Sequence, residues 1–143
     1  MKRRILVGIG IGSALMLSGC GGSNSSHEFQ GTWSGPFQVF NSGGNSVESS
    51  GFMVVTVDSF GGAQIEMQRT DSNPQTQFFN GGYIDDADFF RYVWRWNNTN
   101  DRETRGTVRI NGNFLQPSAQ NGRLETRFAG GSTGGMEFTL TRQ

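Results

Sequence analysis

Along most of the chain, apolar and polar side chains alternate with a period of two, and clusters of Gly, Asn and Ser interrupt the alternation. That period puts successive side chains on opposite faces of a strand, and the interruptions predict turns. The runs fall at 29–40, 51–58, 63–69, 75–79, 88–96, 104–110, 123–128 and 136–142. In the first, Phe29, Gly31, Trp33, Gly35, Phe37 and Val39 share one face. Pro36 has no N–H to give to a ladder, so it is expected at an edge or a bend. Met53, Val55 and Val57, then Ile65 and Met67, continue the apolar set. The run 75–79 ends at Asn80-Gly81-Gly82, which reads as a hairpin turn. Loops are expected at 41–50, 71–74, 97–101 and 130–135, with a tight turn at 111–113; the stretch from there to Gln120 suggests no definite element. From Phe29 onward there is no helical period.

Short connections make consecutive strands antiparallel neighbours. The chain is therefore expected to be all-β. About eight such strands close most simply into a small antiparallel up-and-down barrel, which leaves no exposed sheet edge. A β-sandwich is the alternative.

The first 20 residues follow a different rule. Lys2, Arg3 and Arg4 precede the apolar stretch 5–17, which is too short to span a bilayer and fits the core of a signal peptide. It ends in Leu17-Ser18-Gly19-Cys20. This resembles the lipobox of bacterial lipoproteins. The resemblance implies a signal peptide over 1–19, cleavage before Cys20, and acylation of Cys20 as the mature N-terminus, a membrane anchor in the cell envelope. More than one acyl chain makes such anchoring stable. Gly21 rather than Asp follows Cys20, which by analogy with lipoprotein sorting in enteric bacteria favours the outer membrane. The small polar residues 21–28 read as a tether, leaving 29–143 as the barrel domain.

Composition narrows the function classes. Of 143 residues, the cations and the acids number 12 each. Loss of the signal peptide leaves nine arginines, no lysine and all the acids, a net charge of −3. A mildly acidic domain is a poor partner for nucleic acid. One His, His27 in the tether, argues against a His-based metal site, and one Cys excludes a disulfide framework.

Arg142 is in phase with Met136, Phe138 and Leu140, so it is expected to face inward with them. An inward cation needs a partner. In a closed barrel the first strand, with Trp33, lies beside the last, and Arg142 can stack over that ring. Gly31-Thr32-Trp33 with Arg142 resembles the lipocalin (calycin) superfamily, in which a Gly-x-Trp on the first strand packs against an Arg at the end of the last. The resemblance implies a barrel-closing pair, Trp33 and Arg142.

The run 88–96 places Phe90, Tyr92, Trp94 and Trp96 on one face and Phe89, Arg91, Val93 and Arg95 on the other. Those four aromatics fill the core, wall a ligand pocket, or form an exposed stripe that binds a sugar polymer or a partner protein. Asp85, Asp86 and Asp88 precede them. An EF-hand loop starting at Asp86 fails, because Arg91 stands where Gly is needed, so the cluster reads as a solvated turn balanced by Arg91 and Arg95. No nucleophile elbow, phosphate loop or dinucleotide fingerprint is present. No catalytic residue, metal or cofactor is expected. The reading is a membrane-anchored lipoprotein whose barrel serves a structural, interaction or inhibitor-like role through a wall or a loop, with 41–50 and 130–135 as candidate loops and a protein as partner. The alternative is a lipocalin-like carrier of a small apolar or aromatic ligand, with Phe90, Tyr92, Trp94 and Trp96 around it.

Overall fold

A computed structural model describes residues 28–143 apart from 44, 72, 73 and 98, and only the backbone of residues 78 and 80. The expected signal peptide, Cys20 and His27 lie outside the described residues. After a short 3-10 turn at residues 28 and 29, the strands are β1 Gly31–Phe40, β2 Val47–Val57, β3 Gly62–Arg69, β4 Gln77–Ile84, β5 Phe89–Trp96, β6 Arg102–Asn111, β7 Phe114–Pro117, β8 Leu124–Arg127, β9 Thr133–Phe138 and β10 Leu140–Arg142.

These segments occupy eight positions in one closed antiparallel wall. β9 and β10 form a single strand beside β1, since Phe40 faces Gly135, Phe37 faces Phe138 and Trp33 faces Arg142 in one unbroken register. The interruption falls at Thr139, opposite Pro36, where β1 has no N–H to offer. Pro36 therefore lies within a wall strand paired on both sides, rather than at an edge. β7 and β8 share the position between β6 and the last strand: β7 pairs with the C-terminal half of β6 and with β10, β8 with the N-terminal half and with β9. Between them, residues 118–123 leave the wall and return to it.

Alternation sets what faces in. Trp33, Phe37, Val39, Met53, Val55, Val57, Ile65, Met67, Phe90, Tyr92, Trp94, Trp96, Leu115, Met136, Phe138 and Leu140 are all buried. The interior is interlocked. Tyr92 Oη lies 3.3 Å from Met67 Sδ and 3.1 Å from Met136 Sδ. Trp94 Nε1 donates to Thr104 Oγ1 at 2.9 Å, and Thr104 is hydrogen-bonded to Thr126 at 2.9 Å, so two inward polar side chains satisfy each other and an indole. Neighbouring rings along β5 stand 5.2–6.4 Å apart.

Three boundaries differ from the sequence expectation. Asn80-Gly81-Gly82 is no turn. β4 runs through it to Ile84, with a bulge where the register with β5 shifts between Asn80 and Gly82. The inserted residue, with Gly81 at φ +59°, moves the inward set from Gln77 and Phe79 to Ile84. The turn is instead Asp85 to Asp88, where Asp85 Oδ1 accepts from the Ala87 and Phe89 amides. The expected loop 41–50 contracts because β2 begins at Val47, and 130–135 contracts because β9 begins at Thr133. The stretch without a definite element contains β7.

Candidate functional site: the two barrel ends and the outer wall

The strands run between two ends. Glu28, the turns 58–61, 85–88 and 112–113, and Gln143 lie at one, here the tether end; the loops 41–46, 70–76, 97–101 and 128–132 lie at the other, the far end.

At the tether end, Trp33 Nε1 donates to the Phe29 carbonyl at 2.8 Å, which holds the incoming chain across the opening. The Arg142 guanidinium lies 4.1 Å from the Trp33 ring centroid and donates to the Gln30 and Glu28 carbonyls at 2.9 and 3.1 Å. Arg142 itself is exposed, spanning the rim rather than entering the core. Gly31 has φ +129°, and a Cβ there would sit 3.2 Å from the guanidinium, so both backbone and space call for Gly before Trp33.

The far end is closed differently. Arg102 stacks over Trp94 and Phe128 at 5.3 and 4.9 Å, and its Nη1 donates to both carboxylate oxygens of Glu48 at 2.9 and 2.6 Å. Arg69 lies 6.0 Å from Trp96 and pairs with Asp71 at 2.7 Å. It also donates to the Glu48 carbonyl at 3.0 Å. Two guanidiniums and two carboxylates thus form a lid over two tryptophans. Just beneath, Ser49 Oγ, Gln77 Oε1 and Trp96 Nε1 are buried without a protein partner, and Gln77 faces Trp96 across β4 and β5. The sequence reading missed Arg69 and Arg102. Arg69 is in phase with Ile65 and Met67, the same signal that identified Arg142.

Phe90, Tyr92, Trp94 and Trp96 all point inward and are at most 1% exposed. Burial pushes the Tyr92 hydroxyl well above its ordinary range. Arg91 pairs with Glu103 on β6. Among the described residues, no group of three or more His, Cys, Asp or Glu side chains could hold a metal ion.

The outer wall carries a cleft of about 750 Å³. Its floor is outward-facing Pro36, Gln38, Gln116, Glu137 and Thr139, and its rim is Ala119, Gln120 and Gly122 of the excursion. At Gly35 and Gly51 the neighbouring strand's backbone comes too close for a side chain. A Cβ on Gly35 would stand 2.3 Å from the Thr139 carbonyl oxygen, and one on Gly51 1.9 Å from that of Gln68. Smaller clefts of about 450 and 590 Å³ also include Ala119. The excursion therefore overhangs concave surface on both sides. Residues 118–122 are short or polar, indistinguishable by composition from an ordinary turn, and Arg123, which follows, returns to the wall over the Phe40 ring. No protein-family model, curated protein or solved structure matches the chain.

Proposed function

We propose that the protein is a lipid-anchored interaction barrel of the bacterial cell envelope, acting through its outer wall, where the excursion 118–123 and the adjoining groove meet a partner macromolecule. One contrast carries this reading: the interior is filled by side chains that bond and stack with one another, while the wall is opened outward by an insertion with concave surface on both sides. A barrel that is full inside has its surface to offer. The anchor reading rests on Leu17-Ser18-Gly19-Cys20.

Photo-crosslinking in the producing bacterium tests it. A photoreactive residue at Gln120 is expected to give a discrete adduct, whereas one at Gln64, exposed on β3, gives none. Equal labelling from both positions, or from neither, counts against the reading.

The orphaned polar atoms beneath the far-end lid favour a second reading, a carrier whose small ligand has hydrogen-bonding groups and sits at the mouth of the barrel. Native mass spectrometry of the domain separates the two. A stoichiometric extra mass, lost on denaturation, selects the carrier; the apo mass is the result expected for the interaction barrel.

A further inference from the structure

We propose that the tether end is a lipid-facing surface, on which Phe60, with Tyr83 and Phe114, enters the interface of a zwitterionic membrane; this rests on the reading of Cys20 as the lipid anchor. Phe60 is 88% exposed, the most exposed large apolar side chain among the described residues. It sits at the tip of the turn between β2 and β3, and the turn is built to hold it there. Asp58 Oδ1 accepts from the Phe60 and Gly62 amides at 2.8 and 2.9 Å, and the Ile84 amide donates to the Gly61 carbonyl at 2.7 Å. A ring presented on an ordered turn loses little further freedom on binding. Tyr83, 39% exposed, faces Gly62 in the β3–β4 register, and Phe114, 43% exposed, begins β7 after the turn at 112–113. Tyr and Phe side chains at such depth suit the boundary between headgroups and acyl chains.

The reach of the chain selects this end. Eight peptide links separate Cys20 from Glu28, at most about 28 Å when fully extended, and Glu28 is held at the tether end by Arg142. The barrel is about 25 Å tall for ten-residue strands at the usual tilt. Bringing the far end to the lipid would need the link stretched along the whole wall, whereas the tether end reaches it with slack. Two other exposed apolar side chains, Phe52 and Val47, lie on the side wall and at the far end. Charge then chooses the kind of surface. Glu28, Asp58, Asp85 and Asp86 share the tether end with Arg142. An acidic rim is repelled by anionic lipid within a Debye length of about 10 Å, so the fit is to zwitterionic headgroups and the attraction is apolar.

The test uses the full-length lipoprotein reconstituted in phosphatidylcholine vesicles. Because acylation consumes the Cys20 thiol, Phe60→Cys and, at the far end, Asn100→Cys each supply a single site for an environment-sensitive dye. The dye at 60 is expected to shift to the blue and to lose about half its emission to nitroxide-labelled lipid, while the dye at 100 stays aqueous. Replacing a third of the lipid by phosphatidylglycerol should weaken the effect at 60. A dye at 60 as aqueous as that at 100, or quenching at 100 alone, overturns the proposal when mass spectrometry shows the acylated N-terminus. If Cys20 carries no acyl chain, the anchor reading has failed separately. The rim is then read with Cys20→Ser in the same dye-labelled variants added to the vesicles, where an aqueous dye at 60 again overturns it.

Discussion

The two ends of this barrel are closed by different physics. At the tether end the seal is made of backbone: the chain entering β1 lies across the opening, its carbonyls held by Trp33 and Arg142. At the far end the seal is made of side-chain charge, with Arg69 and Arg102 over two tryptophans and Asp71 and Glu48 holding the guanidiniums. The first closure can open only if the chain itself moves. The second can open by rotamer changes alone, and it covers the buried polar atoms that lack protein partners. One end is a fixed base and the other a lid.

The largest effect expected from breaking this contrast is at the base. Trp33→Ala removes a fully buried indole and its hydrogen bond to the Phe29 carbonyl. The expected loss is about 3–5 kcal/mol, seen as a lower urea midpoint with an unchanged slope. A loss below about 1 kcal/mol would mean that the entering segment does not contribute to the fold.

The core between the ends supplies the next test. Tyr92 is held above its ordinary pKa of about 10 by burial. Its protonated form is the one the folded state prefers, so its contribution is complete below pH 10. It is lost as pH rises further, because the unfolded chain releases the proton first. Stability should fall by about 1.4 kcal/mol per pH unit above 10. In Tyr83→Phe, which leaves Tyr92 as the single tyrosine, the tyrosinate absorbance should rise only together with loss of circular dichroism. Tyrosinate forming in the folded barrel would show that the lid admits solvent to the core.

Much of this was legible in the sequence because a barrel strand imposes a strict period of two. The inward sets on β1, β2, β3 and β5 follow from alternation, and so does the meeting of Trp33 with Arg142, once the first and last strands are made neighbours. The same phase rule places Arg69 inward behind Ile65 and Met67, a signal left unused because the residue ends its strand beside a turn. β4 was misread for a physical reason: a bulge inserts one residue, so Phe79 and Ile84 fall out of phase, and its Gly-Gly pair carries the same composition as a hairpin turn. The excursion 118–123 is illegible because nothing in the run Ser, Ala, Gln, Asn and Gly before Arg123 distinguishes a turn between strands from a break within one. Only the registers of β7 and β8 on a common β6 reveal it.

A smaller change tests the cation at the base. Arg142→Ala removes a ring contact and two charge-assisted bonds to carbonyls at an exposed rim, and a loss of about 1–2 kcal/mol is expected. Arg142→Lys should recover only part of it, since an ammonium cannot span the ring and both carbonyls with the same planar fork. Full recovery by Lys would reduce the role of Arg142 to its charge.

The smallest effect sharpens the contrast most. Arg102→Ala removes both the ion pair with Glu48 and the ring contacts to Trp94 and Phe128; the salt-sensitive part, the ion pair, is expected to contribute about 1 kcal/mol or less. The informative quantity is its salt dependence. In 1 M NaCl the Debye length shrinks to about 3 Å, so the gap between Arg102→Ala and the parent should narrow markedly. The gap for Arg142→Ala should persist, because its partners are carbonyls and an aromatic ring rather than a carboxylate. Urea titrations of both variants at low and high salt make the comparison. If both gaps shrank alike, the base would be as electrostatic as the lid, and the distinction between a fixed end and an openable one would fall.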